Sequence, residues 1–361
     1  MTTTMAALTK SGGVSGRAPA RRAVPGRAAA AAPSPADGLV PRLTVGDFLD
    51  LWQLSRPDFR ALLQFAARLK ATPLQYRALL ADKGLAMIFE KPSLRTRVTF
   101  DVAMQSMGGH AVFLDFTDAP LGEREDIVDV ARNLELWLHA IVARTFEHAS
   151  ITLLAEAASI PVVNGLSDLS HPCQALADFL TLQEVFGAAA LHRDKGAGKR
   201  LKLAYVGDGN NTLTSLLEAA ALAGIDMSVA TPPGYEPGAE VLARVAELAR
   251  SSGSHIAVMH EIAPAVRGAQ AVYTDTWASM GQEAEATQRA RDFASYQVTR
   301  AIMRLAAPRA RFMHCLPAHR GQEVAVEVID SPVSLVYQQA ENRLHAQKAV
   351  LAALILAPPR K

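Results

Sequence analysis

The chain has 361 residues, half of them hydrophobic, which is enough for two α/β domains, each with its own core. Its 37 basic and 35 acidic residues leave a formal charge of +2, and the basic excess sits at the start, so the body, from residue 43 on, carries no basic nucleic-acid surface. No run of eighteen uncharged apolar residues offers a membrane span, and two distant cysteines, Cys173 and Cys315, exclude a disulfide scaffold and point to a reducing intracellular compartment.

Residues 1–42 hold six bases (Lys10, Arg17, Arg21, Arg22, Arg27, Arg42) and one acid, Asp37, among Ala, Ser, Thr, Gly and Pro. They lack the continuous apolar core of a secretory signal. The basic, acid-poor composition fits an organelle transit peptide; a plain disordered tail is the other reading. Pro19, Pro25, Pro33 and Pro35 oppose one long amphipathic helix, which favours a plastid stroma over a mitochondrial matrix. Without a transit peptide the expectation is cytoplasm.

From Leu43 onward strand-like apolar runs alternate with helical patterns. Leu85–Phe89 reads as a strand, Ser93–Gln105 as a helix closed by Gly108-Gly109, Ala111–Leu114 as a strand, and Glu125–Leu138 as a helix. Ala140–Ala143, Ile151–Ala158 and Pro161–Val163 continue as strand, helix and strand. A long helix over Gln174–Phe186 leads into the polar stretch His192–Arg200. The alternation then restarts with strand Leu201–Val206, helix Thr212–Ala223, strand Met227–Ala230, helix Glu240–Arg250 and strand His255–Val258. Strands at Ala271–Thr274 and Arg311–His314 and an amphipathic helix at Glu341–Leu356 complete it. The pattern predicts an α/β fold of two doubly wound parallel-sheet domains joined by long helices. The expected parts are a disordered leader (1–42), a first domain (43–190), a second (191–340), and a C-terminal helix (341–361) returning to the first.

The segment Phe89-Glu90-Lys91-Pro92-Ser93-Leu94-Arg95-Thr96-Arg97 lies where a strand ends and a helix begins. First-turn amides have no partner within a helix, and with the helix dipole they attract anions. Ser93 and Thr96 add hydroxyls, while Arg95 and Arg97 add forked donors that suit phosphate. A capped helix with solvated arginines is the plainer alternative. The carboxyl end of a strand, where open α/β sheets bind ligands, favours the anion site.

This loop resembles the carbamoyl phosphate loop of the aspartate and ornithine carbamoyltransferases. Four more segments match in order: Val142-Ala143-Arg144-Thr145; Asn164-Gly165-Leu166-Ser167-Asp168 running into His171-Pro172-Cys173-Gln174; Asp275-Thr276-Trp277-Ala278-Ser279-Met280-Gly281; and His314-Cys315-Leu316-Pro317. Together they span about residues 43–356. The resemblance implies that Ser93, Leu94 (through its backbone), Arg95, Thr96 and Arg97 hold the phosphate. It implies that Arg144, His171 and Gln174 surround the carbamoyl carbonyl, with Cys315, Leu316 and Arg343 as further carbamoyl phosphate contacts. Asn164, Asp275, Ser279 and Met280 are implied to hold ornithine. The implied catalytic set is Arg144, His171, Asp275 and Cys315.

The chemistry accounts for these residue types. Charge grows on the carbonyl oxygen as the tetrahedral species forms, and each preplaced donor is worth roughly 3–4 kcal/mol. The side-chain amine of ornithine resembles that of lysine, so only its minor neutral form attacks, and Asp275 suits the task of receiving it. The resemblance implies ornithine carbamoyltransfer in arginine biosynthesis, a homotrimer, and no metal, organic cofactor, nucleic acid or membrane partner. A sister transferase using acylornithine or putrescine, and a non-catalytic paralogue, are the alternatives.

Gly207-Asp208-Gly209-Asn210-Asn211 lacks the third spaced glycine of a dinucleotide fingerprint and reads as a tight turn lining the second domain. Two positions depart from the family. Leu94 stands where Thr is usual, as in the acylornithine branch. Pro120 stands where Gln or His often reaches a neighbouring subunit, and proline has no side-chain donor.

Overall fold

The computed structural model describes residues 38–191, 200–278 and 285–358. Most of the leader, Ser279 and Met280 lie outside the described residues.

The first sheet holds β1 (Gly84–Phe89), β2 (His110–Asp115), β3 (Ala140–Arg144) and β4 (Val162–Leu166), in the order β2-β1-β3-β4. The second holds β5 (Lys202–Val206), β6 (Asp226–Ala230), β7 (Ile256–Met259), β8 (Ala271–Thr274) and β9 (Arg311–His314), in the order β7-β6-β5-β8-β9. Every pairing within both sheets is parallel. β1 and β3 are buried at every position, as expected where helices cover both faces, and this is why they read as unbroken apolar runs.

The helices are α1 (Arg56–Ala71), α2 (Leu94–Ser106), α3 (Ile127–Trp137), α4 (His148–Ala157), α5 (Pro172–Phe186), α6 (Asn211–Ala223) and α7 (Ala239–Ser252). Short α8 (Ile262–Val266), α9 (Ala286–Asp292), α10 (Arg300–Leu305) and α11 (Val326–Ile329) precede the long α12 (Val336–Ile355). Local chemistry fixes the helix starts. Ser55 caps α1 by accepting from the Asp58 amide, Ser93 caps α2 by accepting from Thr96, and Asn210 caps α6. Pro172 opens α5, where a missing N–H costs nothing. Gly224 ends α6 in the left-handed region, at φ 75°.

The expected amphipathic C-terminal helix differs in two ways. It starts five residues earlier, at Val336, and from Asn342 to Leu354 it is buried on nearly every side. It packs against α1, α2 and α5 and also touches β9, so its polar residues face neighbouring helices rather than solvent. No helix among the described residues is long and apolar enough to cross a membrane.

In each sheet the chain leaves one central strand in both directions, between β1 and β3 and again between β5 and β8. Such switch points open a crevice at the carboxyl ends of the strands. The two lobes meet there. The Asn211 amide donates to the Ser167 carbonyl (2.6 Å), and the His171 N–H donates to Ser215 Oγ (2.9 Å).

Candidate active site

Between the lobes lies a cleft of about 620 Å³. Its walls come from the carboxyl ends of both sheets: the turns after β1, β3 and β4 on one side, and those after β5, β6, β8 and β9 on the other.

The first-lobe wall is cationic. Arg95, Arg144 and Arg343 all line it. Burial and the neighbouring Arg343 and Arg95 lower the Arg144 guanidinium to about 10. Arg343 is fully buried; Nη2 donates to Thr96 Oγ1 (2.7 Å), and Nη1 donates to Gln174 Oε1. The same Nη1 lies 3.3 Å from His171 Nε2. Burial, reinforced by Arg343, Arg144 and Arg95, holds the His171 pKa well below its ordinary value. His171 is therefore neutral, accepts at Nε2 and carries its proton on Nδ1, for which the described residues supply no hydrogen-bond partner. Three converging guanidiniums and a neutral donor are an arrangement that an anion completes. The first-turn amides of α2 face the same wall, with Ser93 both capping that helix and lining the cleft.

Behind this wall runs a buried polar chain. Gln174 Nε2 and Gln339 Nε2 each donate to Asp178 Oδ1 at 2.8 Å, and Tyr273 Oη donates to Oδ2 at 2.9 Å. Burial lifts the Asp178 carboxyl to about 6 despite these bonds. The chain ties α5 and α12 to β8.

The second-lobe wall carries a carboxylate and a thiol. Asp275 Oδ1 accepts from Cys315 Sγ (2.9 Å) and from the Thr276 amide (2.8 Å), and Oδ2 accepts from Asn210 Nδ2 (2.9 Å). Burial and the adjacent Asp275 push the Cys315 thiol well above its ordinary value, so it donates rather than ionises. The Leu316–Pro317 peptide is cis. His314 Nδ1 accepts from the Leu316 amide (2.9 Å), and its Nε2 lies 3.1 Å from Glu323. Ligand atoms of Asp275, His314 and Cys315 lie within 4.8 Å of one another, but both ring nitrogens of His314 are already hydrogen-bonded, so a metal there would displace one of those bonds.

Of the residues anticipated from the sequence, the cleft gathers Ser93, Arg95, Thr96, Arg144, His171, Asp275, Cys315, Leu316 and Arg343. Four others do not line it. Leu94 points outward, 76% exposed. Arg97 lies on another face of α2, its guanidinium 3.7 Å from the Phe113 ring centroid. Asn164 is fully buried, its amide donating to the Leu49 carbonyl (3.0 Å) and Ser170 Oγ (2.9 Å). Gln174 sits beneath Arg343. Ser279 and Met280 lie outside the described residues.

The cleft also holds residues to which sequence reasoning gave no role. Lys91, nearly buried, lies over the Phe146 ring at 4.3 Å and belongs to the same loop as Ser93. Asp208 pairs with Arg289 at 2.9 Å; burial, only partly offset by that arginine, raises its carboxyl to about 6. Asp208 and Asn210 were visible in the Gly207–Asn211 turn. Arg289 had no motif to mark it.

A cationic wall on one lobe facing a carboxylate and thiol on the other defines a two-domain transferase, with an anion-binding lobe and a lobe for a second reactant. Two family models match in tandem: the aspartate/ornithine carbamoyltransferase carbamoyl-P binding domain over residues 46–184, and its Asp/Orn binding domain over residues 199–354. The chain belongs to the aspartate/ornithine carbamoyltransferase family. It is 52% identical over 277 residues to the ornithine carbamoyltransferase of Pyrococcus abyssi, covering 77% of this chain and 84% of that one. It is 48% identical over 307 residues to that of Shewanella oneidensis, covering 85% and 98%. Among solved structures, the ornithine carbamoyltransferase of Pyrococcus furiosus superimposes with a TM-score of 0.81 at 47% identity, covering 88% of this chain and 98% of that one.

Proposed function

We propose that the protein transfers the carbamoyl group of carbamoyl phosphate to the side-chain amine of L-ornithine, giving L-citrulline and phosphate. The observation that carries this reading is the opposition of two walls: Arg95, Arg144 and Arg343 on one, and the Asp275–Cys315 pair on the other.

The phosphate lies against the start of α2, held by Ser93, Arg95, Thr96 and the free first-turn amides, including that of Leu94. Here Leu94 serves through its backbone, so the lost hydroxyl is tolerable. Arg144 and His171, both on the cleft wall, are the groups for the carbamoyl oxygen, where charge develops. Gln174 acts through Arg343, which it orients. The ornithine ammonium meets the Asp275 carboxylate, gives up its proton, and attacks the carbonyl as a neutral amine. Collapse of the tetrahedral species expels phosphate, which leaves with a proton. Cys315 remains a thiol and steadies Asp275. Ser279 and Met280 are assigned to the amino-acid end of ornithine on the resemblance alone.

The relatives named above support ornithine over other amines, and a Pyrococcus furiosus relative at 51% identity bears the name of an anabolic enzyme, which supports a role in arginine biosynthesis. Leu94, Val98 and Val102 recur at four-residue spacing along α2 and are all exposed, beside exposed Val112 on the edge strand β2. This apolar face supports self-association, and the resemblance to the family favours a homotrimer. The basic leader supports delivery to an organelle, a plastid first.

The test is a panel of amines supplied with carbamoyl phosphate: ornithine, putrescine and N-acetylornithine. Ornithine should give by far the highest kcat/KM. Preference for putrescine or N-acetylornithine would move the protein to a sister activity while leaving the phosphate site intact.

A further inference from the structure

Asn210 does two jobs with one amide. It follows β5 and caps α6: its Oδ1 accepts from the Thr212 and Leu213 amides, both at 3.1 Å. That fixes which way the group faces, so Nδ2 must point away from the helix. It points at Asp275, which follows the neighbouring strand β8, and donates to Oδ2 at 2.9 Å. The contact therefore spans the switch point of the second sheet.

The approach is set one residue earlier. Gly209 donates its N–H to the Tyr235 carbonyl at 2.9 Å, and a Cβ at Gly209 would lie 2.4 Å from that oxygen. Only glycine allows the turn to close on the loop after β6 at Tyr235 and deliver Asn210 to this place.

With Asn210 on Oδ2, and Thr276 and Cys315 on Oδ1, both oxygens of Asp275 are held and the carboxylate plane is fixed. Oδ1 already accepts two hydrogen bonds, whereas Oδ2 accepts only from Asn210 and keeps a second lone pair for an incoming donor. We propose that Asn210 is a positioning residue, which orients the Asp275 carboxylate to receive the substrate amine. The inference rests on the function proposed above, since it gives that carboxylate the amine as its partner.

Capping alone does not explain the choice of Asn. Ser and Asp cap helices about as well as Asn. Ser has one oxygen and no amide, so Asn210→Ser keeps the cap and loses the bond to Asp275. Asn210→Asp keeps cap and size but sets a second carboxyl against Asp275. The experiment is steady-state citrulline formation by the full chain and these two variants, with carbamoyl phosphate affinity and Tm measured on each. The expected result is a tenfold or greater loss of kcat/KM for ornithine in Asn210→Ser and a larger loss in Asn210→Asp. Carbamoyl phosphate affinity should stay within twofold and Tm close to that of the parent. Parental ornithine kinetics in both variants would reduce Asn210 to a cap and overturn the proposal. So would a loss that falls equally on carbamoyl phosphate affinity. A parent chain that forms no citrulline would instead overturn the function on which the proposal rests.

Discussion

Arg343 Nη1 stands 3.3 Å from His171 Nε2, and this contact sets which nitrogen of the buried, neutral imidazole accepts. A guanidinium always donates, so the nitrogen facing it must accept. Burial and the Arg144 and Arg95 charges act in the same direction. His171 should stay neutral, with its proton on Nδ1, through the range where an ordinary histidine titrates. Nitrogen-resolved NMR of the imidazole from pH 7.5 to 5.5 tests this. The expected outcome is one unchanging neutral tautomer, and a titration near pH 6.5 would contradict the assigned role as carbonyl donor. The stability sign follows: the unfolded chain takes up a proton below about pH 6.5 that the folded site refuses, so this histidine costs stability as pH falls.

Cys315 should be a sluggish nucleophile. Burial first, and then Asp275, keep it in the thiol form. Alkylation by iodoacetamide at pH 8 should be much slower than for a free cysteine. Asp275→Asn removes the nearby negative charge and should speed it several-fold. A fast-reacting Cys315 in the unmodified protein would mean an ionised thiol and a different local charge balance.

Arg97 and Leu94 lie beside the phosphate loop but outside the cleft. Arg97→Ala should leave carbamoyl phosphate affinity within about threefold, measured by calorimetry. It should cost roughly 0.5–1 kcal/mol of stability through the lost contact with the Phe113 ring. Leu94→Thr should leave the ratio of ornithine to putrescine turnover unchanged. A large loss of phosphate affinity in the first variant would return Arg97 to the site.

The motifs in the sequence named most of the cleft but not which way each side chain faces. Arg95 and Arg97 are two residues apart on one helix, about 200° around its axis, so a shared motif does not give them a shared target. The amide of Asn164 donates to Ser170, six residues on, and to the Leu49 carbonyl, 115 residues back, a contact that no local pattern announces. The strands β8 and β9 were legible to the residue: β8 is a short, largely apolar run, and β9 centres on Phe312 and Met313 just ahead of the His314-Cys315-Leu316-Pro317 motif. Helix α1 carries a start signal in Ser55-Arg56-Pro57-Asp58, but it precedes the strand–helix alternation, and no strand among the described residues comes before it to mark it as part of that pattern. The start of α12 was hidden because its burial owes little to a 3.6-residue stripe and much to polar partners such as Asp178 and Thr181.

Glu218 is fully buried on α6, with Arg244 no nearer than 3.9 Å. Burial and the nearby Asp50 raise its carboxyl to about 8. A carboxyl raised in the folded state binds more protons there than in the unfolded chain between about pH 4.5 and 8, so stability falls as pH rises through that window. Glu218→Gln removes the cost. Its Tm should exceed that of the parent by several degrees at pH 9 and by little at pH 5, in thermal melts at both values. An equal change at both values would point to packing rather than charge.

The most direct test of the two-walled cleft is citrulline formation over a grid of both substrates, for the parent, Arg95→Ala and Asp275→Asn. Arg95→Ala should raise the KM for carbamoyl phosphate at least a hundredfold. Asp275→Asn should still bind carbamoyl phosphate with near-parental affinity while losing at least a hundredfold in kcat/KM for ornithine. If both variants fail on the same substrate, or if either retains parental kinetics, the division of the cleft into an anion wall and an amine wall is wrong.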